Sequence, residues 1–235
     1  MLAMAMADVQ VANEPPDIVE SELDLARDGV VVLRGAIPPT DVRRTAALCD
    51  AAFTGLTTAS DPSTVANVVG WGGMSIDEML GCMADPDSLR AILDRFTALL
   101  PGATLLRSLS VIRRRVKHRT SMPWHVDAEA ASTRAHDPCV NFWMPFAPVG
   151  GGRSPTLEFV LGSAPAMRGY RALRTGETFR LDQWVEMRLG HSRRFMPLLE
   201  PGDVVLFDHY TMHRTERVSG LKPIPRISAE IRFCC

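Results

Sequence analysis

The pattern of hydrophobic and polar positions divides the chain near residue 102. In residues 16–102, apolar positions recur mainly at helical spacing, which predicts a largely helical part. The predicted helices span residues 18–27, 40–53, 75–83 and 85–100, with Thr40 as the expected N-cap of the second. One β-branched run bounded by glycines, residues 29–35, predicts a buried strand. Residues 1–15 carry few large apolar groups, so we expect them to form a flexible lead-in.

After residue 102, short β-rich runs are separated by Pro and Gly, and no long helical period is seen. The predicted strands span residues 105–116, 140–147, 156–161, 184–189, 203–207 and 226–233. This pattern is typical of a β-sandwich or a β-barrel. We therefore predict an α+β fold with a mainly β core at residues 103–235 and the helices of residues 16–102 packed on it.

Composition and charge limit the size and the partners of the molecule. With 235 residues and 46% hydrophobic content, the chain can bury a full core, and we expect a single domain over residues 1–235. A net charge of -1 gives no general attraction to nucleic acid or to an anionic membrane, so neither is an expected partner. No apolar run reaches membrane-spanning length, and the first residues lack the basic start of a secretory signal, which predicts a cytoplasmic protein. The five cysteines have neither zinc-type nor disulfide-type spacing, so we expect reduced, structural thiols.

The candidate metal chemistry centres on His125 and Asp127. In an extended segment these two side chains point to the same face, because they are two residues apart. A third ligand must come from elsewhere, and His209 and His213, which follow a predicted strand, are both candidates. Two His and one carboxylate with open positions form the facial triad of non-haem Fe(II) oxygenases. The alternative is a solvated or hydrogen-bonded His–Asp pair without a metal.

A candidate anion site lies in the last predicted strand. Arg226 and Ser228 are two residues apart, so they share a face and can bind the same anion through a guanidinium and a hydroxyl. The alternative is a surface Arg at the edge of a sheet.

A basic stretch precedes the His–Asp pair. Residues 105–120 contain six Arg or Lys residues and no acidic residue, and in a strand Arg113, Arg115 and Lys117 share one face. If that face lines the mouth of a barrel, Arg115 and Lys117 would favour an anionic substrate such as a carboxylate, a phosphate or a CoA thioester. The alternative is a solvated strand face.

Over most of its length the chain resembles the phytanoyl-CoA dioxygenase-like branch of the Fe(II)/2-oxoglutarate-dependent oxygenases. The resemblance is sharpest at residues 124–127, 201–213 and 225–228, with softer support from residues 29–35 and 157–163. It implies a double-stranded β-helix, a jelly-roll barrel, wrapped by N-terminal helices. The chain departs from the family pattern at Ala164, where a His is common, but that His is not a metal ligand and the iron site is unaffected.

The resemblance also implies the cofactors, Fe(II), 2-oxoglutarate and dioxygen, and the residues that bind them. The implied metal ligands are His125, Asp127 and His213, since the family spacing counted from Gly202 selects His213 over His209.

The implied co-substrate site is centred on Arg226. Its guanidinium would pair with the far carboxylate of 2-oxoglutarate, with Ser228 as a helper, while the 2-oxo acid end chelates the iron. Asn141 and Trp143 would line the same pocket.

The expected function is hydroxylation of an unactivated carbon of a small molecule, with release of succinate and carbon dioxide. One alternative is desaturation, cyclisation or epoxidation with the same cofactors. A second is a non-catalytic barrel that binds a metal or a small molecule, although such a barrel does not need the second anion site at Arg226 and Ser228. The substrate itself stays open, because substrate contacts in such barrels come from loops.

Overall fold

The described residues form two antiparallel sheets. The structure is a computed structural model that describes residues 19–57, 73–115, 122–129, 138–173, 193–217 and 226–235. The strands are β1 (Val30–Leu33), β2 (Gly73–Ser75), β3 (Thr104–Leu105), β4 (Val111–Arg115), β5 (Cys139–Pro145), β6 (Leu157–Val160), β7 (Arg194–Phe195), β8 (Val204–Asp208), β9 (His213–Thr215) and β10 (Arg226–Cys234). The larger sheet has the order β1-β8-β5-β10-β4-β2, with β3 also paired to β10, and the smaller sheet has the order β7-β6-β9.

Helices come mainly from the first hundred residues, as predicted. They are α1 (Leu25–Asp28), α2 (Pro39–Thr57), α3 (Ile76–Cys82), α4 (Asp87–Leu99) and α5 (Ala164–Leu173). Short 3-10 turns lie at Glu20–Glu22, Arg107–Leu109 and Asp127–Glu129. Helix α3 begins with a capping box, in which Ser75 accepts from the backbone N–H of Glu78 and the Glu78 side chain accepts from that of Ser75.

Two helix predictions were wrong. The predicted helix 18–27 begins outside the described residues, and its described part, 19–27, does not form one helix, because Asp24 accepts a hydrogen bond from the backbone N–H of Arg27 and starts the separate short helix α1. Helix α2 begins at Pro39, so Thr40 lies inside its first turn and is not its N-cap. Proline is well suited to a first helical position, since its fixed φ and missing N–H cost nothing there.

The helices cover one face of the larger sheet. Buried residues of α2, α3 and α4 pack there against alternate residues of β5 and β10, and Phe96 stacks on Phe142 with ring centroids 4.9 Å apart. In β10, Ala229, Ile231 and Phe233 belong to this core. The residues between them therefore project from the opposite face of the sheet.

A second core lies between the two sheets. It joins Val205 and Phe207 of the larger sheet to Leu157 and Phe159 of the smaller one, with the Phe159 and Phe207 rings 5.2 Å apart. A cavity of about 300 Å³ opens beside this core. Mainly β composition with helices on one face confirms the predicted fold class.

Most of the predicted strands are present with small shifts of their ends. The predicted strand 105–116 is divided into β3 and β4 by a 3-10 turn, and the predicted strand 184–189 lies outside the described residues. Strands β2, β7 and β9 and helix α5 were not predicted from the sequence. Among the described residues, no helix is both long enough and apolar enough to cross a membrane.

Candidate metal centre

Three side chains converge at the edge of the cavity. The Nε2 atom of His125 lies 3.7 Å from Oδ1 of Asp127, and Nε2 of His213 lies 4.0 Å from the same oxygen. The potential ligand atoms of the three residues all lie within 4.8 Å of one another. The structure therefore brings together the residues that the resemblance implied as ligands.

Backbone pairing brings the two histidines side by side. The N–H of His125 donates to the carbonyl of His213 at 2.9 Å, and the N–H of His213 donates back at 3.0 Å. His213 opens β9, which pairs with β6 through Phe159. Asp127 begins the 3-10 turn that ends this extended segment, so it stays on the same side as His125.

On the other side of these segments, the neighbouring residues hold the two histidines in place. Trp124 is buried, and the guanidinium carbon of Arg214 lies 4.4 Å from its ring centroid. Arg214 also forms a 2.5 Å ion pair with the buried Glu158 of β6. Arg214 thus contacts both the indole of Trp124, next to His125, and Glu158 of β6. These two contacts fix the segments of His125 and His213 against the smaller sheet.

Both imidazoles present Nε2 to the centre. Nδ1 of His125 lies 2.8 Å from the carbonyl oxygen of Pro123, and Nδ1 of His213 lies 3.0 Å from that of Thr211. A carbonyl only accepts hydrogen bonds, so each Nδ1 carries a proton, and in the neutral form of either ring Nε2 presents the lone pair. Metal-binding histidines are usually held by this kind of contact.

The charges around the centre suit a divalent cation. Burial raises the pKa of the Asp127 carboxyl, but the Arg232 guanidinium, with further contributions from His213 and His125, outweighs burial and holds that pKa well below its ordinary value. Burial, aided by His125, lowers the pKa of His213 to about 4, against the opposing effect of Asp127. At neutral pH the centre therefore holds a carboxylate anion and a neutral His213, the forms that bind metals.

Arg226 is buried in the same cavity as the three residues. Only 2% of it is exposed, its Nη1 donates to the carbonyl of Pro155, and its guanidinium carbon lies 5.0 Å from the ring centroid of Trp143. Nε1 of Trp143 and Oγ of Ser228 are buried and have no hydrogen-bond partner among the described residues. Buried polar atoms of this kind need a partner, which a ligand can supply.

Comparison with known protein families decides the assignment. The family model described as phytanoyl-CoA dioxygenase (PhyH) matches residues 25–227, which is most of the chain. The protein belongs to the phytanoyl-CoA dioxygenase family. It is thus an enzyme of the non-haem iron oxygenase class that depends on 2-oxoglutarate, which confirms the resemblance and the cofactors. A comparison with curated proteins finds no match.

Solved structures share the fold of this family member. The nogalamycin carbocyclase SnoK has a TM-score of 0.63 at 15% identity and covers 93% of this chain and 87% of its own. The epimerase SnoN, in complex with Fe3+, alpha-ketoglutarate and nogalamycin RO, has a TM-score of 0.60 at 19% identity over 89% of this chain and 80% of its own. EctD from S. alaskensis, with 2-oxoglutarate and 5-hydroxyectoine, has a TM-score of 0.62 at 17% identity over 96% and 78%. At these identities the similarity confirms the jelly-roll fold alone.

His209 is not part of the group formed by His125, Asp127 and His213. It is buried, its ring packs beside Tyr210, and its Nδ1 accepts a hydrogen bond from the backbone N–H of Cys139 at 2.7 Å. Its contacts therefore connect the turn after β8 to the start of β5. Of the two histidines that the residues alone left open, the structure places His213 with His125.

The basic stretch divides between the two faces of β4. Arg114 points to the helical side, where it pairs with Asp50 of α2 at 3.0 Å. Arg113 lines the cavity and pairs with Glu230 at 2.7 Å. The backbone of Arg115 is paired with that of Arg226, and Lys117 lies outside the described residues.

Sequence reasoning missed Arg232 and Glu230. Both line the cavity, and Arg232 donates to Oδ2 of Asp127 at 3.2 Å. Asn141, expected in the co-substrate pocket, also lines the cavity and donates to Oδ2 of Asp127 at 2.9 Å. The available signal was the alternation along β10, which places Arg226, Glu230 and Arg232 on one face.

Proposed function

We propose that this phytanoyl-CoA dioxygenase family member hydroxylates an unactivated carbon of a small-molecule substrate. When bound, Fe(II) and 2-oxoglutarate activate dioxygen, so that one oxygen atom enters the product and the other enters succinate as carbon dioxide leaves. The observation that carries the proposal is the cluster of two Nε2 atoms and one carboxylate oxygen within 4.8 Å, in a chain of this family.

His125, Asp127 and His213 would hold the iron. Two imidazoles and a carboxylate match the facial triad, and the arrangement leaves the other side of the metal open. The carbonyl contacts at both Nδ1 atoms fix the ring orientations before the metal arrives, so little rearrangement is needed on binding.

Arg226 would bind the far carboxylate of 2-oxoglutarate. Its planar donor fork suits a carboxylate, and its place beside Trp143 removes it from bulk water, which strengthens the pairing. Trp143 Nε1 and Ser228 Oγ are further buried donors, and a bound carboxylate would supply acceptors. Asn141 would line the same pocket, since its buried Oδ1 has no hydrogen-bond partner among the described residues.

The substrate would be a small anion. Arg113 already places one guanidinium in the cavity wall, and the backbone of Arg115 is paired with that of Arg226, which also lines the cavity. Arg115 and Lys117 would then supply the positive charge that meets the substrate. Because Glu230 pairs with Arg113, further cations are needed for an anion to bind there.

The test is an anaerobic titration of the metal-free protein with Fe(II) and then with 2-oxoglutarate, followed by the metal-to-ligand charge-transfer band. Oxygen is then admitted with a panel of organic acids, phosphates and acyl thioesters, and succinate is measured. His125→Ala serves as the control without a complete metal site. Gain of one oxygen at a saturated carbon supports hydroxylation, whereas loss of two hydrogens would replace it with desaturation or cyclisation. A missing charge-transfer band in the wild-type protein would contradict the metal and co-substrate assignments together.

A further inference from the structure

We propose that Arg232 and Asn141 position Asp127 so that only one of its oxygens, Oδ1, binds the metal. This inference rests on the proposed function, because it concerns how the same metal site is kept open. Both residues act through Asp127 and are therefore positioning residues.

The two donors bind the same carboxylate oxygen. Nδ2 of Asn141 lies 2.9 Å from Oδ2 of Asp127, and Nη2 of Arg232 lies 3.2 Å from it. The other oxygen, Oδ1, is the one that faces both Nε2 atoms of the histidine pair. An ionised carboxylate has about two acceptor sites on each oxygen, so the two donors occupy those of Oδ2.

The donors themselves are held in place. Arg232 and Asn141 are directly opposite each other on β10 and β5. Nη1 of Arg232 donates to the carbonyl of Leu109, and the Arg232 backbone N–H donates to Oγ of Ser110 at 2.9 Å. These contacts anchor Arg232 at its backbone and at its guanidinium. If the Asp127 carboxylate rotated, the anchored donors could not move with it, and their hydrogen bonds to Oδ2 would break.

Asp127 is also the nearer anionic partner of Arg232. Glu230 lies 3.8 Å from Nη2 of Arg232, beyond hydrogen-bonding distance, and is itself paired with Arg113 at 2.7 Å. The guanidinium of Arg232 is thus directed at the metal-binding carboxylate. Arg226, on the same strand, is instead the residue proposed to bind 2-oxoglutarate.

The number of Oδ atoms that bind the metal determines how many of its coordination positions stay open. The facial triad works because positions on the metal remain open for the co-substrate and dioxygen. If Asp127 bound through both oxygens, it would close one of them. Arg232 and Asn141 would prevent this, and their loss should weaken binding of a dioxygen substitute more than binding of the metal.

The experiment compares the Asn141→Leu single variant, the Arg232→Met/Asn141→Leu double variant and the Arg232→Lys variant, which keeps the charge. Arg107→Met removes an exposed Arg that pairs with Asp77 outside the cavity and serves as the matched control. Each folded protein is titrated anaerobically with Fe(II) and 2-oxoglutarate. Nitric oxide is then added in place of dioxygen, and its affinity is read from the electron paramagnetic resonance signal of the iron nitrosyl.

We expect the double variant to bind nitric oxide at least roughly tenfold more weakly than wild type, the effect of losing about one charge-assisted hydrogen bond, with the metal affinity much less changed. Asn141→Leu should show a smaller loss of the same kind, Arg232→Lys should recover part of it, and Arg107→Met should match wild type. Nitric oxide affinity equal to that of wild type in the double variant would overturn the inference. If that variant does not fold, unchanged affinity in Asn141→Leu overturns it instead. Failure of the wild-type protein to bind Fe(II) and 2-oxoglutarate would refute the proposed function, a separate result.

Discussion

Replacement of Arg226 tests the co-substrate site most directly. Arg226 is only 2% exposed, and Arg226→Ala removes its guanidinium, which packs over Trp143. A hydrogen bond to a charged group contributes about 1.5 to 3 kcal/mol, and tenfold in affinity corresponds to about 1.4 kcal/mol. Loss of the pairing should therefore weaken 2-oxoglutarate binding by roughly ten- to a hundredfold. Fe(II) binding without co-substrate should barely change, because the three metal ligands remain.

The assay is a pair of anaerobic titrations on each protein, one with Fe(II) alone and one with 2-oxoglutarate added to the Fe(II) form. Arg226→Lys is the matched variant, since it keeps the charge but loses the planar fork, and it should lie between wild type and Arg226→Ala. Arg226 also donates to the carbonyl of Pro155, so a thermal melt of each variant separates lost folding from lost binding. If folded Arg226→Ala binds 2-oxoglutarate as tightly as wild type, the assignment of Arg226 is refuted.

Three further predictions concern the metal site and the substrate. His213→Ala should abolish Fe(II)-dependent turnover while His209→Ala keeps the iron site, and equal loss of iron in both would refute the choice of His213. Charge reversal at Arg115 or Lys117 should raise the substrate KM and leave uncoupled 2-oxoglutarate turnover nearly unchanged, whereas unchanged KM in both variants would favour the solvated-face alternative. In the metal-free folded protein, the pKa of His213 is lowered from 6.5 to about 4. Between about pH 6.5 and pH 4 the unfolded chain therefore binds more protons than the folded protein. The free energy of unfolding should fall as the pH falls through this range. Urea unfolding at about pH 7 and pH 5 should show a smaller decrease in His213→Gln than in wild type, and equal decreases would contradict this assignment.

Local sequence signals predicted the elements whose pattern is strong by itself. The β-branched run before Gly35 forms β1, and the capped, periodic segment after Ser75 forms α3. His125 and Asp127 lie on one face, because side chains two residues apart in an extended segment share a face whatever that segment pairs with. Short elements such as β9, with three residues, were missed, since their strand conformation comes from pairing with β6 and not from propensity.

The choice between His209 and His213 shows what tertiary structure added. Both follow the same strand, and nothing in their own residues separates them. Only the pairing of His213 with His125 brings one imidazole to the metal centre, while His209 turns toward the backbone of Cys139.

The last strand shows the same division most clearly. Its alternation by itself determined that Arg226, Glu230 and Arg232 share a face, but charged residues at alternate positions are equally typical of a strand with a solvated side. Helices packed on the apolar side of β10, together with the second sheet, decide that the charged side lines a cavity. Whether a strand face meets water or a cavity depends on what covers it, and that is a property of distant parts of the chain.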